Sequence, residues 1–66
     1  MEARWLLEAV VRKTPRDAAA HNAMAVVLAS TGDPGGALTH ARKAARLRPG
    51  NHEYLANLGQ LLAMGG

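Results

Sequence analysis

An all-α fold of stacked helix-turn-helix units follows from three features of the sequence. The first is a period, because landmarks recur about 34 residues apart, the spacing of a helical-hairpin repeat. Pro49 steps back to Pro15, Ala44 to Val10, Ala41 to Leu7 and Ala37 to Ala3, while Met24, Ala25 and Leu28 step forward to Leu58, Gly59 and Leu62. The second is punctuation: Thr14-Pro15, Gly32-Asp33-Pro34 and Pro49-Gly50-Asn51 divide the chain into segments of helical length. The third is composition. There is no Phe, one Trp and one Tyr, so the 48% of hydrophobic residues is made up of Ala, Leu, Val and Met, which suits close helix packing better than a sheet. A period of this kind marks a solenoid, in which each unit buries its apolar face against its neighbours.

The first helix is expected over residues 2–13, with Ala3, Leu7 and Val10 on one face and Arg4, Glu8 and Arg12 in a charged row at spacing of four. Thr14-Pro15 ends it, since the residue before a proline is pushed out of helical geometry. Asp17 then caps a second helix over residues 18–31, in which Met24, Val27 and Leu28 are the larger apolar residues. Gly32 supplies a left-handed exit, Asp33 an N-cap and Pro34 a first helical position. The third helix, residues 34–48, presents Ala37, Ala41 and Ala44 so that a neighbouring backbone can come close. Its Arg42, Lys43 and Arg46 gather toward a C-terminus, where cations favour the helix dipole. Asn51 caps a fourth helix over residues 52–64, apolar apart from a stripe of Glu53, Asn57 and Gln60.

Size and charge narrow the function. A chain of 66 residues holds one small domain, and a domain of that size buries only about 60% of the surface of its unfolded form. Without cysteine there is neither a disulfide framework nor a thiolate metal site. Eight Lys and Arg against five Asp and Glu give a net charge of +3, but the cations form no continuous basic block. No apolar run approaches the roughly 20 residues of a membrane span. Glu2 and Glu8 interrupt what would be a leader, so a cytoplasmic location is expected. Met1 falls within a repeat and Gly65-Gly66 falls where a further helix should start, which suggests a fragment of a longer array. His21, His40 and His52 are not spaced as metal ligands on one helix, and His21 takes a packing slot. Asp17 and Asp33 read as caps, Met24 and Met64 as filler, and no nucleophile stands beside a base. No enzyme activity, cofactor or metal is expected.

His21, Met24, Ala25, Leu28, Ala37, Ala41, Ala44 and Pro49, followed by Leu55, Leu58, Gly59 and Leu62, resemble the signature of the tetratricopeptide repeat. His21 and Ala41 stand where that signature has large aromatic residues. The resemblance implies a short right-handed superhelix of antiparallel helix pairs, divided here as the second helix of one repeat (1–16), a complete repeat (17–50) and the first helix of another (51–66). It implies a scaffold that binds a protein or peptide in a concave groove lined by the first helices of each pair. The groove slots fall on Asn22, Val26, Ala29 and Ser30, and on Glu53, Asn57 and Gln60. The family's clamp for a C-terminal carboxylate needs Lys and Asn where this chain has Asn22 and Val26, so that speciality is not expected. Both ends are unfinished repeats, and self-association through Trp5, Leu6, Val11, Leu58, Leu61 and Leu62 is expected, most simply as a dimer. The competing reading is a basic helical module for nucleic acid or another acidic partner. The modest charge excess and the lack of aromatic residues among the cations stand against nucleic acid.

Overall fold

Among the described residues, four helices follow one another in the order α1 (Arg4–Lys13), α2 (Ala18–Ser30), α3 (Pro34–Leu47) and α4 (His52–Ala63). The computed structural model describes the backbone of residues 4–64 and the side chains of residues 8–64. The expected end residues Trp5 and Leu6 therefore lie outside the described side chains, as does the first turn expected before Arg4. The other helix ends fall within a residue of those expected from the punctuation.

One device starts three of the four helices. Asp17 accepts from the Ala20 N–H at 3.2 Å, Asp33 from the Gly36 N–H at 3.0 Å and Asn51 from the Tyr54 N–H at 3.0 Å. Each side-chain oxygen thus satisfies one of the backbone donors that a helix start leaves without a partner. Pro34 follows Asp33 as the first residue of α3, where its missing N–H costs nothing. The turn before it depends on Gly32, whose φ of +87° is open to glycine and strained for other residues. This reversal brings the Asp33 N–H within 2.8 Å of the Leu28 carbonyl. Gly36 is required for a different reason. A Cβ there would come within 2.6 Å of Asp33 Oδ2 and 3.2 Å of Leu28 Cδ1, so it would displace the carboxylate that caps the helix.

The core is lean. Met24, Ala25 and Leu28 of α2, Ala37 and Ala41 of α3 and Leu61 of α4 form one buried cluster, with Val11, Ala29, Leu38 and Leu58 packed around it. α2 and α3 make the largest contact, α3 packs on α4, and α1 packs on α2. Layers this thin give a slab of 27 × 25 × 14 Å. No helix among the described residues is long and apolar enough to cross a membrane.

Helical geometry corrects the expected open face of α4. Leu61 is only 6% exposed and belongs to the core, and Leu58 is half-buried against it. Both lie with Tyr54 and Asn57 on the side that faces the rest of the chain, so they are covered from within. Val11 is likewise half-buried against the core. The stripe left open is Leu55, Gly59 and Leu62, at spacings of four and three. One period earlier these positions are His21, Ala25 and Leu28, all buried in the α2–α3 contact. Leu28 is 2% exposed because α3 covers it, whereas no described helix stands beside Leu62, which is 50% exposed.

Two substitutions separate the capping role from any other. Asp33→Ala should lower stability by about 0.5 to 2 kcal/mol, with Asp33→Asn retaining most of it, in chemical or thermal melts followed by circular dichroism. Gly36→Ala should also destabilise despite alanine's better helix propensity, and a melt at or above that of the wild type would show that the cap can move at no cost.

Candidate binding groove and a histidine pair

α2 and α4 lie side by side with a groove of about 310 Å³ between them. Its floor is apolar, formed by Ala25, Ala29 and Leu61, and Met64 closes one end. Val26, Ser30 and Gln60 stand along the rim, with Asn57 near the opposite end. Five of the seven residues expected from the repeat slots therefore come together here: Val26, Ala29, Ser30, Asn57 and Gln60. Asn22 is held to the same feature indirectly, accepting a hydrogen bond from Asn57 Nδ2 at 2.9 Å. That bond ties α2 to α4 and uses part of the hydrogen-bonding capacity both amides would offer a ligand. Glu53 is exposed on α4, one turn before Asn57, and does not line the groove.

The polar groups on the rim differ in how free they are. Ser30 donates its hydroxyl to the Val26 carbonyl at 3.0 Å, which leaves it an acceptor. Gln60 is exposed, with no side-chain partner among the described residues. Val26 is 51% exposed, a branched apolar side chain standing at the lip of an apolar floor. Leu61, an expected open-end residue, and Met64, expected filler, both line this groove. Their place in the groove could have been inferred from helix geometry, since Leu61 is one turn beyond Asn57 and Met64 one turn beyond Gln60.

The second polar feature lies between α2 and α3. His21 is 1% exposed, and its Nε2–H donates to the Pro15 carbonyl at 2.7 Å. A carbonyl only accepts, so Nε2 carries a proton. Nδ1 of His40 lies 3.0 Å from Nδ1 of His21, so one of these two nitrogens donates to the other. The ring planes are within 25° of parallel and the centroids are 5.3 Å apart. That separation is about two ring radii longer than the nitrogen contact, so the rings meet edge to edge, nitrogen to nitrogen, and not face to face. Among the described residues no group of three or more ligand-type side chains is placed to hold a metal, and His52 is exposed at the start of α4.

The family described as tetratricopeptide repeat matches residues 1–52, and this chain belongs to that family. Its repeats are non-enzymatic scaffolds that mediate protein–protein interactions. Neither the curated proteins nor the solved structures give a match.

His40 makes stability depend on pH. Burial pushes the His40 pKa below its ordinary value of 6.5, His21 and Lys43 push it further down, and Glu8 opposes them. Above 6.5 both the folded and unfolded chains hold His40 neutral. As the pH falls below that value the unfolded chain takes up the proton first, so stability is lost until the lower folded-state value is reached. The melting temperature should therefore decline as the pH falls below 6.5, and His40→Gln should flatten that decline. An unchanged slope in the variant would assign the pH dependence to other groups.

Proposed function

We propose that the chain is a peptide-binding scaffold that uses the α2/α4 groove, with residues 17–50 as its complete repeat. The observation that carries this reading is the arrangement of the groove, an apolar floor with a half-exposed Val26 on one rim and a free Gln60 on the other. Such a surface suits an extended or helical segment that lays an apolar side chain on the floor and exchanges hydrogen bonds with Gln60 and Ser30. The Asn22–Asn57 bond keeps the two walls in register, so little ordering remains for the partner to drive.

Peptides selected from a random library on the full chain provide the test. Val26→Asp should weaken a selected peptide by roughly tenfold or more, about 1.4 kcal/mol, while leaving helicity unchanged because the residue is exposed. Gln60→Ala should weaken it less. Wild-type affinity in both variants, measured by titration calorimetry, would remove the groove from consideration.

Self-association is the second part of the proposal, through the α4 stripe of Leu55, Gly59 and Leu62. Leu55, Leu62 and Met64 are each about half exposed, so covering what remains would contribute roughly 2 to 4 kcal/mol. Association itself costs about 4 to 15 kcal/mol, so this face alone gives a weak contact that depends on concentration. Sedimentation should show the average mass of the wild type rising with concentration, and Leu55→Glu with Leu62→Glu should abolish the rise. A wild type that stays monomeric throughout would discard the self-association reading and leave the groove untouched.

A further inference from the structure

A second cleft, of about 380 Å³, opens between α1 and α3, on a side of α2 different from the one that faces the groove. Arg12 of α1 and Lys43 and Arg46 of α3 line it, together with Val11, Pro15 and Leu47. His21 forms part of its wall, and the 2.7 Å bond from His21 to the Pro15 carbonyl fixes that wall to the turn before α2. No carboxylate is among the described lining residues, and within the described part of the chain none is bonded to Arg12, Lys43 or Arg46. Glu8 acts on His40 from nearby but does not line the cleft.

Helix dipoles account for part of this charge. Arg12 is in the last turn of α1 and Arg46 in the last turn of α3, and each helix end carries roughly half a negative charge. Two such ends offset about one of the three cations, which leaves a positive cleft with apolar walls. We propose that this cleft is a second recognition site, one that takes an acidic peptide segment carrying an apolar side chain between its carboxylates. Arg12 and Arg46 offer planar forks suited to carboxylates, Lys43 adds a point charge, and Val11, Pro15 and Leu47 receive the apolar side chain. These three exposed cations line a cleft that has no Phe, Tyr or Trp to stack bases, and they form no stripe long enough to follow a nucleic-acid backbone. This site does not depend on the groove.

Fluorescence anisotropy of a short labelled peptide of alternating Glu and Leu, titrated with the full chain at low and at high salt, tests the proposal. The acidic peptide should bind saturably, more weakly at high salt. Its Gln-for-Glu counterpart and a single-stranded oligonucleotide of equal charge should both bind roughly tenfold or more weakly. Lys43→Gln combined with Arg46→Gln should weaken the acidic peptide roughly tenfold. Arg42→Gln combined with Arg48→Gln makes the same charge change at exposed residues outside the cleft and should keep affinity within about twofold. If the first pair loses helicity by circular dichroism, Arg12→Gln probes the opposite wall and should by itself weaken binding severalfold. Equal losses in the two double variants, an unaffected Arg12→Gln where it is needed, equal or tighter binding of the oligonucleotide, or no saturable binding by the wild type would each overturn the proposal.

Discussion

The close approach of α2 and α3 is the constraint on which the rest of the structure depends. Ala25 on one helix and Ala37, Ala41 and Ala44 on the other are almost completely covered. Alanine loses no rotamer entropy on burial and holds the backbones close, so dispersion contacts between main chains make up for the missing bulky side chains. A smooth alanine surface, however, has few ridges to set how far one helix slides along the other. Directional bonds supply that register. His21 ties α2 to α3 and its neighbour Asn22 ties α2 to α4, so two consecutive residues hold the central helix to two partners.

The same constraint separates the two concave features. Because α3 packs against both α2 and α4, those two helices are brought alongside each other, and the groove is the gap left where their side chains do not meet. The α1–α3 cleft forms because both helices flank α2 without interdigitating at their C-terminal ends. One is an apolar floor with amide and hydroxyl groups, the other a cationic slot with apolar walls. Their chemistries differ enough that a ligand suited to one is poorly suited to the other.

Much of the fold was legible in the sequence, since helix ends are set locally. Asp17, Asp33 and Asn51 cap the helices they precede because a short polar side chain three residues ahead of an N–H can hardly do otherwise. Gly32 and Pro34 announce their turn for equally local reasons. The groove was largely legible through the repeat slots, as Val26, Ala29, Ser30, Asn57 and Gln60 show. The inward turn of Leu58 and Leu61 was not read. A helix apolar over most of its circumference does not declare which apolar stripe is inside, and the Leu55–Gly59–Leu62 stripe could be identified only by carrying α2's buried positions one period forward. The histidine pair was also missed, because residues 19 positions apart meet only through the packing of two helices. A polar ring in an aromatic slot was its one signal, since such a ring, when buried, needs a partner.

That pair has a consequence for how the sequence can change. His21 is buried with its Nδ1 paired to Nδ1 of His40, so replacing His40 by an apolar residue strands a buried polar atom, and replacing His21 takes the partner from His40. Placing at residue 21 the large aromatic residue of the family signature removes one half of a matched couple and is disfavoured unless residue 40 changes with it. Residues 21 and 40 are therefore a single unit of variation, and drift in this repeat has to pass through both together.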